Sequence, residues 1–456
     1  MLQFISKEEY GLYILCVDFL AWMGFLDLGI NKVIETKAAH LMVKEDFEGL
    51  NKTLNSALSV QILVSIIIIP LYFLLVYFGI GTIRIEQFEL VIAFFALSAA
   101  VTNIKNLFSS TIVASRKIHL DNRIQVYINL LQYILILVLV PFTNLFGLAA
   151  INLVIVILIL LRSGWRIQKL FPDIRWNLRN FDVTTIRGIF KDGLFFSLSS
   201  LATLFLMKID SFVIGKEFNL EMVAAYYVSI KLFMLTLKIG EMIINNFRPH
   251  VSRMYVTGDY ESIRLFYEKM MVTIFCIGSI ALFVVSNINE YFLEIWVGKS
   301  FFLNTNFNVF FGYFILFSLL TLPARIIIVS SLYKIHQLSI LRFSEGAFRI
   351  LIILLFIHLK QIEILPITSV LALYIFGIIA FHILLRGYFK KHGLENFKGF
   401  VIQITALMIF PFLVYFFKLS ELWSLLLIPV MGTIFWRHFK RYKAEFLTLA
   451  NVLLKK

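Results

Sequence analysis

The chain has 456 residues, 60% of them apolar and only 15% charged, with 48 phenylalanines. Such a composition excludes a soluble globular domain and leaves a membrane protein. The formal net charge of +14 could suit nucleic acid, but the basic residues sit in short loops between apolar segments, so membrane lipids are the expected partner and nucleic acid is not.

Taken in chain order, continuous apolar runs predict helices over 8–30, 54–80, 88–113, 122–141, 146–163, 190–215, 222–247, 267–289, 307–331, 338–359, 365–386, 398–418 and 421–437. Runs such as "SALSVQILVSIIIIPLYFLLVYFGI" supply the roughly 20 apolar residues needed to cross a hydrocarbon core. A backbone deprived of water must satisfy its own hydrogen bonds, which allows only helices or closed barrels; unbroken rather than alternating runs select helices. Cys16 and Cys276 both lie inside apolar runs, so neither a disulfide framework nor a metal cluster is expected.

The loops alternate sharply in Lys and Arg. One set, which includes "RSGWRIQKLFPDIRWNLRNFDVTTIRGIFKDG" and the tail "RHFKRYKAEFLTLANVLLKK", is strongly basic, whereas the opposite set holds only Lys7, Arg84, Lys216, Lys299, Lys360 and Lys418. Basic flanks stay in the cytoplasm, so the C-terminus is expected inside and the first residues outside. The organisation that follows is an N-terminal bundle over 1–163, a cytoplasmic linker over 164–189, a C-terminal bundle over 190–386, and two additional helices with a basic tail over 387–456. The linker is amphipathic and carries Trp165 and Trp176, which predicts a segment lying along the headgroups.

A shift of 213 residues lays "EYGLY" over "VAAYY", with Gly11 on Ala224 and Tyr13 on Tyr226, and then "DFE" at 46–48 over "DYE" at 259–261. "KIH" at 117–119 meets "KIH" at 334–336 with the offset grown only slightly. The common order points to an internal duplication. Both copies have the same orientation by loop charge, as in transporters built from parallel repeats. In the second copy a full helix, "GLFFSLSSLATLFLMKIDSFVIGK", precedes "NLEMVAAYY", and its counterpart falls before residue 1. The expectation is therefore thirteen helices from a fourteen-helix parent whose first helix is missing; a natural thirteen-helix chain is the alternative.

The stretches "SKEEYGLY…LDLG…DFEGLNKTLNSAL", "WNLRNFDVTTIRGIFKDGLFFSLSSL…KIDSFVIGKEF…VAAYYVS" and "IWVGKSF" together resemble the oligosaccharide flippases of polysaccharide biosynthesis, the O-antigen type. Their superfamily also contains multidrug and toxic-compound extruders and the lipid-II flippase. The resemblance implies an all-α fold of two six-helix bundles around a central cleft, sometimes with two further C-terminal helices, in a bacterial cytoplasmic membrane. It also implies movement of undecaprenyl-pyrophosphate-linked glycans between leaflets, alongside polysaccharide polymerase or ligase machinery. The sequence departs from the pattern in having Ala224 where the second G-x-Y would place glycine.

Charges within the apolar runs are the candidate site residues, because each costs roughly 2.5–3.5 kcal/mol or more at mid-bilayer and should face a cavity or a partner. They are Asp18, Lys105, Lys208, Asp210, Lys231, Lys238, Glu241, Arg325 and Arg349, with Glu345 beside them. Asp18 and Lys231 are counterparts under the shift, and the resemblance places their helices on facing walls of a cleft, so they are expected to pair when it closes. Lys238 shares a face with Lys231 and can be neutralised by Glu241 one turn on, as Arg349 can by Glu345. Two apart in a predicted helix, Lys208 and Asp210 should point to different sides. The surplus of cations suits a pyrophosphate-linked sugar.

No Walker lysine loop and no nucleophile, base and orienter set is present in the sequence, so enzymatic function is not expected and no cofactor is implied beyond possible proton or sodium coupling. Three function classes follow. The first is a flippase for lipid-linked oligosaccharides working by alternating access. A cation-coupled small-molecule exporter of the same fold, with Asp18 or Asp210 as coupling carboxylate, is the second. A membrane glycan polymerase or glycosyltransferase is the third, disfavoured by loops too short for a catalytic domain.

Overall fold

The structure, a computed structural model, describes residues 4–80, 88–115, 118–177, 181–329 and 335–394, and among these it is helical throughout with no strand. The helices expected over 398–418 and 421–437, and the basic tail, lie outside the described residues. The chain divides into two units, Met1–Tyr227 and Val228–Lys456.

In the first unit, α1 (Lys7–Met23) opens with a reciprocal cap in which the Ser6 hydroxyl accepts from the Glu9 N–H and the Glu9 carboxylate accepts from the Ser6 N–H. The expected helix over 8–30 ends early, at "LDLG". Leu28 and Gly29 both take left-handed backbone conformations, and the Asp27 carboxylate accepts from the Gly29 N–H at 2.8 Å and from the Asn31 side chain at 2.7 Å. This turn starts α2 (Ile30–Val43). A β-carbon on Gly29 would stand 2.3 Å from the carbonyl oxygen of Gly193, so glycine is required both for the backbone angle and for the approach of the neighbouring helix.

Helices α3 (Phe47–Ile80), α4 (Glu89–Ala114) and α5 (Ile118–Leu170) follow. The apolar stretch Gln125–Leu170 has 46 residues, about 69 Å at 1.5 Å per residue and more than twice the ~30 Å hydrocarbon core. It is broken at Asn144 (φ 50°, ψ −139°), just after Pro141, which divides it where the sequence predicts the boundary between the helices over 122–141 and 146–163. The unit closes with α6 (Val183–Met207), α7 (Ile209–Glu217) and α8 (Leu220–Ser229).

The second unit holds α9 (Lys231–Asn245), α10 (Arg248–Val256), α11 (Tyr260–Trp296), α12 (Thr305–Ile327), α13 (Ile335–Phe356), α14 (Ile364–Ala372) and α15 (Phe381–Lys391), the last two joined by a π-helical stretch. Among the described residues seven helices are long and apolar enough to span a membrane, or nine if each of two bent pairs is one span. The duplication is visible in local structure. Asp46 and Asp259, 213 apart in the sequence, each follow a residue of positive φ, and each carboxylate accepts from the N–H three residues on, at 2.8 Å and 3.0 Å, to start α3 and α11. Ala224, the departure from the G-x-Y pattern, is fully buried. At its counterpart Gly11 a β-carbon would lie 1.9 Å from the Leu220 carbonyl oxygen.

Within 164–189, α5 continues to Leu170, α6 starts at Val183, and residues 173–177 run along α3 on a ladder of asparagines. The Asn51 side chain donates to the Asp173 carbonyl and accepts from the Arg175 N–H, while Asn55 donates to the Arg175 carbonyl and accepts from the Asn177 N–H, all at 2.7–2.8 Å. Four helical residues rise about 6.0 Å and two extended residues about 6.6 Å, so asparagines at i and i+4 match successive peptide pairs of an extended chain. Trp176 packs on Phe108 at 4.9 Å, and Ile174 is buried in the same core as Ile34, Leu54 and Leu107.

The Asp182 carboxylate caps α6, accepting from the Thr185 N–H and from the hydroxyls of Thr184 and Thr185. These hydrogen bonds, the Thr184 hydroxyl foremost, hold it well below the usual carboxylate range. A carboxylate depressed on folding adds stability above its unfolded pKa of about 3.9 and loses it as pH falls through the native value. Asp182→Ala should therefore lower the thermal midpoint at neutral pH, with the gap to the parent protein narrowing below about pH 4. Asn55→Leu removes the two hydrogen bonds that its side chain makes to the peptide groups of 175–177, and should cost about 2–4 kcal/mol in detergent unfolding. Gly11→Ala, forcing α1 off α8, should cost about 1–3 kcal/mol by the same measurement.

Candidate functional site

Asp18 sits in the middle of α1 and is only 3% exposed. Its carboxylate accepts from the Lys208 ammonium at 2.5 Å and from the Ser211 hydroxyl at 2.6 Å. Lys208 occupies the break between α6 and α7, with non-helical backbone angles (φ −126°, ψ −10°). Lys208 thus lies at the junction of two helices and turns its ammonium to Asp18. Asp210 is buried, accepts from the Tyr226 phenol, and lies within electrostatic reach of Asp18. The Lys208 ammonium also stands 5.9 Å from the centre of the Tyr227 ring, a cation–π distance. The structure gives Asp18 Lys208 as its partner. The reason lies in the packing of the "KIDS" segment, Lys208–Ser211, against α1, which no spacing rule in the sequence reveals. The Asp18 carboxylate thus sits between the Lys208 ammonium, its ion partner, and the second buried carboxylate, Asp210, within electrostatic reach.

Tyr72 completes its floor. Fully buried on α3, it donates to the Cys16 carbonyl at 2.8 Å, and Phe19 lies edge-on to both Tyr72 and Phe212. Sequence reasoning missed Ser211, Tyr72, Tyr226 and Tyr227. For Tyr226 a signal existed, since it is the counterpart of Tyr13 in the repeat; the others are ordinary residues of apolar helices.

The second unit holds a different constellation. Glu345 and Arg349 on α13 are both fully buried. The Glu345 carboxylate accepts from Arg342 at 2.7 Å, and Arg349 reaches the Leu365 carbonyl at 3.4 Å. Leu365 begins the turn of α14 whose carbonyl also receives the Thr368 and Ser369 hydroxyls, so Arg349 ties α13 to α14. Arg325 on α12 lies within electrostatic reach of Arg342, Glu345 and Glu241, and its Nε is buried without a hydrogen-bond partner among the described residues. Arg342, Glu345 and Arg349, three and four residues apart, share one face of α13, and Arg325 brings Glu241 within reach of the first two. Of the remaining candidates, Lys105 on α4 and Lys231 on α9 are half-buried, and Lys238 is exposed. Among the described residues no group of three metal-ligating side chains occurs.

The chain matches the model of a family described as "Polysaccharide biosynthesis protein" over residues 1–304. No curated protein matches it. Among solved structures it is similar to an inward-facing multidrug resistance MATE family transporter of the MOP superfamily, with TM-score 0.61 and 15% identity over 86% of this chain and 93% of that one. It is also similar to a MOP superfamily transporter from Pyrococcus furiosus, titled for the reversed polarity of its binding pocket, with TM-score 0.56 and 16% identity over 85% and 92%. A third is a single-residue mutant of the Vibrio cholerae MATE transporter VcmN, with TM-score 0.54 and 13% identity over 83% and 89%. At these identities the likeness establishes the fold.

Removing one partner of a buried ion pair strands the other, at about 3–5 kcal/mol. Lys208→Met should therefore destabilise the protein by about that amount in thermal unfolding, and adding Asp18→Asn should recover most of the loss. A double variant no more stable than Lys208→Met alone would show that the two groups do not compensate each other.

Proposed function

The chain belongs to the polysaccharide biosynthesis protein family, and from that membership and its multi-pass transporter fold we propose that it carries lipid-linked, pyrophosphate-bearing oligosaccharides across the membrane by alternating access. One observation supports the anionic substrate above all: among the described residues, the cluster of Arg325, Arg342 and Arg349 outnumbers its acids, Glu241 and Glu345. Fixed guanidinium groups in a low dielectric attract phosphate oxygens through short, charge-assisted hydrogen bonds and repel cationic drugs. Arg325 is suited to meet a phosphate, since its Nε is buried without a hydrogen-bond partner among the described residues.

A second reading, a cation-coupled small-molecule exporter of the same fold, has its own support. Asp18 and Asp210 lie within electrostatic reach of each other beside Lys208, and closely placed carboxylates in a membrane are the kind of group that a proton or sodium ion neutralises during transport. The two readings are compatible if the acids of the first unit couple an ion and the arginines of the second hold the anion.

Proteoliposomes loaded with an undecaprenyl-pyrophosphate oligosaccharide distinguish them. The protein should accelerate movement of the lipid between leaflets relative to empty vesicles, and Arg325→Gln should slow it by at least about ten-fold, the value of one charged hydrogen bond. No acceleration, together with gradient-driven drug efflux that disappears in Asp210→Asn, would replace the flippase reading with the exporter.

A further inference from the structure

The second unit contains a groove of about 510 Å³ between α13 and the helix that ends at Lys391. Its walls are Ile340 and Leu341 on one side and Ile383 and Leu384 on the other, and Ile340 and Ile383 are more than half exposed. Along α15 it extends from Ala380 to Lys391, on the order of 16 Å, a length suited to a hydrocarbon chain. Its polar residues gather at one end: Gln337, Tyr388 and Lys391. That end belongs to the most basic side of the bundle, in the run "RGYFKKH".

Two further observations fit an anionic ligand at this end. Tyr388 is 9% exposed, and its phenol oxygen is buried without a hydrogen-bond partner among the described residues. Its ring is fixed between Tyr260 at 6.0 Å and His392 at 4.8 Å, so the hydroxyl is not free to swing to water, and an unmet buried donor calls for an acceptor. Moreover, among the described residues the lining contains one cation, Lys391, and no carboxylate.

We infer that the groove between α13 and α15 binds an anionic phospholipid, with its phosphodiester at Lys391 and the Tyr388 hydroxyl and one acyl chain between Ile340 and Ile383. The single lining ammonium matches the single negative charge of a phosphodiester. A pyrophosphate-linked glycan carries more charge and is better matched by the arginines around Glu345. The lipid is therefore a resident of the leaflet that faces the basic loops, distinct from the transported molecule, and the inference stands whichever substrate is carried. In binding, Tyr388 donates to a phosphate oxygen, Lys391 supplies the charge, and the aliphatic walls exclude water from the chain.

The test uses the full-length protein, purified and titrated with phosphatidylglycerol or phosphatidylcholine, with bound lipid counted by native mass spectrometry. Phosphatidylglycerol should be retained in preference to phosphatidylcholine. Lys391→Gln should weaken its retention roughly five-fold, and Tyr388→Phe, which keeps the ring contacts, by about three- to ten-fold. A β-carbon at Gly387 meets nothing within 4 Å, so Gly387→Leu should fill the groove and abolish retention while leaving the thermal midpoint unchanged. Equal retention of the two lipids, or unaltered retention in Gly387→Leu and Lys391→Gln, overturns the site. So does preferential retention of undecaprenyl phosphate, which would make the groove a substrate site. With Cys16 and Cys276 replaced, a disulfide between Ile383→Cys and a cysteine placed within 398–418 would equally overturn it, by making the chain's own segment the occupant.

Discussion

A carboxylate inside a hydrocarbon slab has no water to solvate it, so Asp18 dictates which helices must meet around it. Its charge is met by Lys208 and Ser211, which requires α6 to break at residue 208 so that ammonium and hydroxyl reach the same point from consecutive turns. The break gives up regular helix geometry at one residue. In return the buried charge acquires an ion partner and a hydrogen bond, without which its burial would cost several kcal/mol. Tyr226 on Asp210 and Tyr227 beside Lys208 extend the same logic: each polar atom drawn into the membrane brings the next. The first unit is in this sense assembled around one side chain.

The same solvent explains the other close fits. Where helices touch without water between them, their backbones can approach closely only if side chains are absent, as at Gly11 against Leu220 and at Gly29 against Gly193. Where the chain is not helical, its peptide groups must find partners elsewhere, and Asn51 and Asn55 supply them to residues 173–177. The asparagines tie residues 173–177 of the connector between the two sequence copies to α3 of the first unit.

Charge is distributed unequally between the two units. The first concentrates carboxylates around Lys208, whereas the second concentrates arginines around Glu241 and Glu345. In a transporter these are different tools: a carboxylate responds to protons or sodium, and a guanidinium holds a phosphate at any physiological pH. The repeat carries the same cap at Asp46 and Asp259 but different intramembrane charges, Asp18 standing where the second copy has Lys231.

Much of the fold was legible because apolar length, loop charge and repeated order are properties of local sequence. Unbroken runs must become helices in a solvent that leaves no backbone group unpaired. "PFTN" marks the division at Asn144 and "LDLG" carries the turn at Gly29, though the helix was expected to run through it. The caps at Asp46 and Asp259 repeat because the sequence does. Which buried charges exist was equally plain from the sequence, since an Asp or Arg among leucines cannot be overlooked. Which charge meets which was decided only by the tertiary structure. Asp18 joins Lys208 across 190 residues, and Glu345 takes Arg342, because pairing depends on helix breaks and rotamers that respond to every neighbour at once, whereas sequence spacing reports only neighbours along one helix.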